Sequence, residues 1–391
     1  MVVPLAVRDI AAAIGVLLVL IAGSSVIGTL IVPRSVASNL TRRIDRVVDD
    51  VFRLIVSPIA AYRRRDRILA AQAASLLICQ LIVWLALFFV GFSLLFWPLQ
   101  HGGITDAFRL AGPGLWEIGS DRAHGAAQQA ILDIASLTGI ITVTLQIAYL
   151  PTLYAEFNRR ETEVALLTAR AGVPSWGPEL LARTHYALGS GVSALDTLPD
   201  LYASWERWAA DVAESHTTYP ALVRFRSPRP YSSWVTGLLA VLDSAAMLLS
   251  ISPGQAPIVP ARLCLRGGFT CFNEVAKGMG FVIPDEPDPS LGISITYEQF
   301  LDAVARLREV DFLIEREPEQ AWPDFVGWRA NYEQAAFALA KTLDVVPALW
   351  SGPRRHPVEP IAPIRPSKGR PPTTPRKHPR ASRRSGPTSG S

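Results

Sequence analysis

Two groups of residues in this chain have types and spacing that could do chemistry. The first is the run Gly112-Pro113-Gly114-Leu115-Trp116-Glu117-Ile118-Gly119-Ser120-Asp121, in which two carboxylates follow a helix-breaking Gly-Pro-Gly. Copies of Glu117 brought together in an assembly would form an acidic ring that attracts cations. Glu117, Ile118, Gly119, Ser120 and Asp121 are therefore the candidate filter residues. The alternative leaves Glu117 in an extracellular loop that never enters a membrane. The second group is a helical stripe. At about 100° per residue, Gln128, Ala135, Thr138, Gly139, Thr142, Gln146 and Tyr149 share one small and polar face. Thr138, Gly139, Thr142 and Gln146 are candidate pore-lining residues if that face meets water. Small and hydroxyl residues suit helix–helix packing equally well.

Other chemistries find no support in the sequence. There is no G-x-x-x-x-G-K-[ST], G-x-S-x-G, H-E-x-x-H or paired C-x-x-C, so no catalytic residue, cofactor or metal site is assigned and the chain does not read as an enzyme. Gly278-Met279-Gly280 is not a dinucleotide fingerprint. His185 and His216 are isolated and read as hydrogen-bonded helix histidines. The three cysteines are too few for a disulfide framework, and Cys79, Cys264 and Cys271 read as small buried hydrophobes.

The elements that must position these residues are apolar helices. Of the 391 residues 49% are hydrophobic, with a mean hydropathy of +0.24, and the apolar residues concentrate near the N-terminus. Three stretches, about 9–32, 70–97 and 130–154, are each long enough to cross roughly 30 Å of hydrocarbon. The first is too long for a signal-peptide core and reads as a retained anchor. Its Ala11/Gly15 and Ser24/Gly28 pairs would let another helix approach closely. Asp133 lies off the polar stripe and is expected either to pair with Arg109 or Arg122 or, about one turn into the span, to sit shallow enough to reach water.

Charge gives orientation. Residues 33–69 carry nine arginines against Asp45, Asp49, Asp50 and Asp66. The other short connections carry few. Lysine and arginine mark the cytoplasmic side, so the expectation is a multi-pass cell-membrane protein with its N-terminus outside and C-terminus cytoplasmic. Within 33–69, Leu40, Ile44, Val47, Val48, Val51, Leu54 and Ile55 recur at helical spacing, with Ser38 or Asn39 as cap. This predicts an amphipathic helix along the inner leaflet, near anionic lipids; the alternative is a helix packed on the following domain.

Between the second and third spans, a short helix over about Thr105–Ala111, capped by Thr105 and broken at Gly112, would be followed by the extended filter run. Helix, short re-entrant helix, extended segment, helix is a pore-unit arrangement, tolerated at membrane depth where it lines water or is buried in protein. The run YLPTLYAEFNRRETEVALLTARAG at Tyr149–Gly172, together with the preceding span, resembles a group of uncharacterised bacterial membrane proteins related to two-helix potassium channel pore domains. That resemblance implies a cation pore assembled as a homo-oligomer, a tetramer if it is a channel. A potassium filter is T-V-G-Y-G, whereas Glu117, Ser120 and Asp121 replace its Thr, aromatic and second Gly here, so potassium selectivity is not implied.

The fold class expected is therefore an all-α membrane protein with five parts. They are an N-terminal transmembrane helix (1–32), a basic amphipathic linker (33–69), a pore-like unit (70–154), a cytoplasmic helical domain (155–350) and a disordered basic, Pro-rich tail (351–391). The third span is expected to continue through Glu156–Arg170 to Gly172. Helical patterns follow at about 178–189, 197–214, 232–250, 257–279, 297–312 and 319–344, with short strand signals at Phe281–Ile283 and Ile293–Ile295. Trp234–Ile251 is apolar enough for a fourth span, but Asp243 at its middle predicts a buried core helix whose acid has a partner. From Gly352 onward ten Lys/Arg meet one acid, so the rest of the chain is slightly acidic and no nucleic-acid-binding face is implied. The tail could meet anionic lipid or remain a solvated extension. Two functions remain open: a channel-like cation pore subunit with a non-standard filter, or a non-conducting membrane anchor or scaffold that presents the helical domain.

Overall fold

The computed structural model describes residues 4–32, 38–100, 103–115, 125–184, 194–284 and 292–365. The described residues are helical, and their one β-type pairing is an isolated bridge between Ala348 and Ile361. The strand signals at 281–283 and 293–295 are not realised. Val282 is 92% exposed, so its β-branched side chain has no sheet to pack on.

Three long apolar helices dominate the first half. They are α1 (Leu5–Leu30), α4 (Gln72–Phe96) and α6 (Ala126–Ala171). Each contains a window apolar and long enough to cross a membrane. α1 lies along α4, and its buried face is Ala11, Gly15, Ala22, Ser25 and Val26, a stripe at helical spacing. The crossing is at Gly15 and Gly91. A Cβ on Gly15 would stand 2.6 Å from the Gly91 carbonyl oxygen, so only glycine allows this approach. Of the small pairs expected to form it, Ser24 is exposed; Ser25 takes the buried position, accepting a hydrogen bond from Trp84 Nε1 at 3.0 Å. The outward faces are aliphatic: Ile10, Leu17 and Leu20 on α1, Ile78 and Ile82 on α4, Ile134, Leu137 and Ile147 on α6.

Between these helices run α2 (Asn39–Val56), α3 (Tyr62–Leu69) and α5 (Ile104–Gly114). Ser38 caps α2, its hydroxyl accepting from Thr41 N–H at 3.1 Å. α5 starts one residue after Gly103, whose N–H donates to Asp106 at 3.1 Å, so Thr105 is not the cap. The helix also runs through Gly112-Pro113-Gly114 instead of breaking there. Proline within the last turn loses one hydrogen bond, and the packing of α5 against α4 and α6 offsets it.

α6 has 46 residues and is about 69 Å long at 1.5 Å per residue. That is more than twice the hydrocarbon thickness, and the helix ends, as the sequence indicates, at Gly172 with φ +80°. Its last turns contribute Val164, Leu167 and Ala171 to the core of a helical domain. That domain comprises α7 (Gly177–Thr184), α8 (Leu198–Thr218), α9 (Trp234–Ile251), α10 (Ile258–Gly278), α11 (Tyr297–Arg308), α12 (Pro318–Ala330) and α13 (Glu333–Thr342). α9 is the axis. Like α1, α4 and α6 it is long and apolar enough to cross a membrane, but 94% of its residues are buried, with α7, α10, α12 and α13 around it. The single helix expected over 319–344 is two, because the chain turns at Asn331–Tyr332.

The segment after Trp350 is not all free. Arg354 is buried and donates to the carbonyls of Val345 at 2.8 Å and Val346 at 2.6 Å. Ile361 N–H reaches the Pro347 carbonyl and Ile364 N–H the Val173 carbonyl. Residues 351–365, given to the tail by composition, thus lie against the domain. Their fixing comes from backbone pairing and from Arg354, Arg365 on Glu179 and Arg183 on the Ile364 carbonyl, not from an apolar pattern.

Candidate functional site

The most developed polar arrangement lies where α2 and α3 meet the helical domain. Asp45 and Asp49 are one helical turn apart on α2 and so project from one face. Arg224, in the 3-10 turn Pro220–Arg224 after α8, places its guanidinium there. Its Nε and Nη2 donate to the two Asp49 oxygens at 2.8 and 2.7 Å, and Nη1 is 3.7 Å from Asp45. α4 closes the group from the other side. Gln72 donates to Asp49 at 2.7 Å and Gln80 to Asp45 at 3.0 Å. The two α2 aspartates therefore join three elements: the basic linker that carries them, α4 through Gln72 and Gln80, and the domain through Arg224. Burial raises the Asp45 carboxyl above its usual range, with Arg224 opposing that shift and Asp49 adding to it.

α3 repeats the arrangement. Arg226 donates from Nε to Asp66 at 2.6 Å, from Nη2 to the Tyr62 hydroxyl at 3.0 Å, and to the Leu343 and Asp344 carbonyls. Arg65, 1% exposed, pairs with Asp344 at 3.0 Å. Beneath these ion pairs lies an apolar seam of Ile44, Val48, Leu76, Leu77, Tyr149, Leu153, Ala221 and Leu222. The alternative weighed for α2, packing on the domain, is realised on that side of the helix. Its Val47, Val51, Leu54 and Ile55 remain uncovered.

A third junction sits on α6. Arg160 is 1% exposed and donates to the Leu222 and Phe225 carbonyls at 3.0 and 2.7 Å, to Glu161 at 2.8 Å, and contacts His216 Nε2 at 3.0 Å. Burial, then the neighbouring guanidinium, holds the His216 imidazole well below its ordinary pKa, so it is neutral. His216 is a hydrogen-bonded helix histidine, as its isolation suggests. Deeper in the domain, Asp243 pairs with Arg329 and accepts from the Tyr332 hydroxyl at 2.8 Å. Arg329 also binds Glu333 at 2.6 Å and the Trp350 carbonyl at 2.6 Å. The partner expected for Asp243 is thus found.

The candidate filter residues Glu117, Ile118, Gly119, Ser120 and Asp121 lie outside the described residues, as do Arg122 and His185. Of the stripe on α6, Gly139, Thr142 and Gln146 are buried within the chain, and Thr138 is half-buried. Gly139 meets the end of α5 so closely that a Cβ would stand 2.2 Å from the Leu115 carbonyl oxygen. Ser136 donates to the Gly114 carbonyl at 2.5 Å, and Gln128 to the Leu99 carbonyl at 2.7 Å. This is the contact pattern of helix packing. Asp133 accepts from Gln129 at 2.9 Å on the exposed side of α6, one turn away; of the two arginines expected to pair with it, Arg122 lies outside the described residues. Cys264 and Cys271 are buried in the domain core, where burial pushes both thiols up. Among the described residues, no group of three or more His, Cys, Asp or Glu is placed to hold a metal ion.

Sequence reasoning missed Arg160, Arg224, Arg226 and Arg329. The one available signal was the Asp45/Asp49 pair at i,i+4 on an otherwise arginine-rich helix. No family model matches the chain, and no curated protein or solved structure matches it either.

Proposed function

We propose that this protein is a multi-pass membrane anchor that holds a helical domain at a fixed orientation to the bilayer, a scaffold rather than a conduit. The observation that carries this reading is the three-way clamp at Arg224, where linker, apolar helix and domain share one buried ion-pair group. α6 supports it, because one unbroken helix belongs to both the apolar bundle and the domain core. A domain on a flexible tether would need neither. The Arg-rich linker supports a cytoplasmic side for the clamp and the domain. The partner of such a scaffold would be met by the domain.

A second reading rests on α5. A short helix between two apolar helices, ending on a glycine of the following one, is the framework of a pore unit, and Glu117–Asp121 follow it. In that reading four copies surround a cation path. The two differ in what the purified protein does in planar bilayers. The scaffold carries no current at any voltage. A cation-selective current that Glu117→Gln reduces, from a protein that runs as a closed tetramer in detergent, would replace it with the channel.

A further inference from the structure

The Arg-rich face of α2 borders a cavity of about 870 Å³ between that helix and the C-terminal end of α10. Arg42, Arg43, Arg46 and Arg53 of α2, Lys277 of α10 and Arg355 line it. Three acids also line it, but each is engaged: Asp49 and Asp45 by Arg224 and by the α4 glutamines, Asp50 by Arg53 at 2.7 Å. With Arg224 included, the lining carries seven cationic and three acidic side chains.

Two details favour an anion in this space. The α10 end is usually a negative pole, yet here the carbonyls of Val275, Ala276 and Lys277 are taken by the N–H groups of residues 279–281. Arg42 and Arg46 spend their hydrogen bonds on neutral acceptors, the Asn39 amide at 2.7 Å and the Arg42 carbonyl at 3.3 Å, so their charge is not cancelled there. In addition, burial and then the nearby Arg53 lower the proton affinity of Arg355, with Asp344, Asp49 and Asp50 opposing the shift.

The same helix carries the exposed apolar stripe Val47, Val51, Leu54 and Ile55, with Leu54 77% exposed. A cationic hollow beside an apolar stripe matches a molecule that is polyanionic at one end and apolar at the other. We propose that this cavity binds the phosphorylated headgroup of an anionic phospholipid of the leaflet, whose acyl chains run along the uncovered stripe of α2. The site rests on the membrane-anchor reading and adds to it a means by which lipid composition would bear on the α2 clamp.

The test uses the full chain in neutral phosphatidylcholine nanodiscs. Binding of short-chain phosphatidylinositol bisphosphate, free inositol trisphosphate and inorganic phosphate is measured by native mass spectrometry. The lipid is expected to bind at least tenfold more tightly than the free headgroup. Replacing Arg42, Arg43 and Arg46 by Gln, all exposed side chains, should weaken lipid binding at least tenfold. The Arg63→Gln, Arg64→Gln pair, equally exposed on α3 but outside the cavity, should change it less than twofold. Leu54→Gln should weaken the lipid and leave inositol trisphosphate unchanged. Equal losses in both arginine sets would mean general surface charge and would overturn the site. Free headgroup binding as tightly as lipid would overturn the phospholipid as occupant. Insertion is followed separately by alkaline extraction, so loss of lipid binding in a fully inserted protein counts against the cavity alone.

Discussion

Replacing Arg224 by Met removes the guanidinium that joins α2 to the domain while keeping most of the apolar stem. Breaking a buried ion pair from one side costs about 3–5 kcal/mol, because the other charge stays behind without its partner. Two features lower that figure here. Asp49 is 20% exposed and retains the Gln72 amide at 2.7 Å. Asp45, raised already by burial and held down in part by Arg224, would be raised further once the cation is gone, which eases its neutralisation. We therefore expect about 2–3 kcal/mol, a 30- to 140-fold fall in the docked over undocked population of α2. The assay is limited trypsin digestion in detergent, reading the cleavage rate within 42–53, with thermal unfolding alongside. Arg224→Met should be cut far faster there than the wild type and melt lower. Adding Asp45→Asn and Asp49→Asn should restore part of the loss, since the stranded charges go too. If Arg224→Met stays within about 0.5 kcal/mol of wild type, with unchanged trypsin sensitivity, the ion-pair group does not hold α2 and the reasoning fails.

Truncation after Ser351 should lower the melting temperature by several degrees, because it deletes Arg354, which burial pushes down to about 10 in pKa while five backbone carbonyls accept its hydrogen bonds; truncation after Arg365 should leave stability unchanged. His216 is held neutral, so the unfolded chain binds more protons below about pH 6.5; stability should fall as pH drops from 7 towards 5, and His216→Gln should flatten that slope in a urea titration. Gly139→Val would drive a side chain into the Leu115 carbonyl, so it should destabilise by at least about 1–3 kcal/mol in thermal melts, while Gly23→Ala, with nothing within 4 Å of the new Cβ, should be neutral. Arg329→Leu strands Asp243 and Glu333 in the domain core and should cost about 3–5 kcal/mol, read as loss of a cooperative transition or a sharply lower midpoint.

Periodicity and length located the long elements. α1, α4 and α6 carry their signal in composition alone, and Gly172 marks the end of α6 because a left-handed residue is needed there. Asp243 separated a core helix from a span through the cost of an unpaired charge in lipid. Pairing was less legible. Arg224 and Asp49 are 175 residues apart, and nothing local to either chooses the other. The arginines of 33–69 read as a topology signal, yet Arg65 is buried in an ion pair while Arg42, Arg43 and Arg46 face a cavity, a division set by which side of each helix meets the domain. The α6 stripe was ambiguous for a physical reason: small and hydroxyl residues serve a wet wall and a tight helix contact alike. Gly139 against Leu115 is such a contact within the chain.

The central claim is that the apolar helices and the helical domain form one rigid body. Spin labels on cysteines placed at Ile82 on α4 and Leu263 on α10, both exposed, in a Cys79→Ser background where the remaining cysteines are buried, report the distance between the two parts in nanodiscs. Pulsed electron paramagnetic resonance should give one narrow distance distribution, broadened by Arg224→Met. A broad or multimodal distribution in the wild type would contradict the claim.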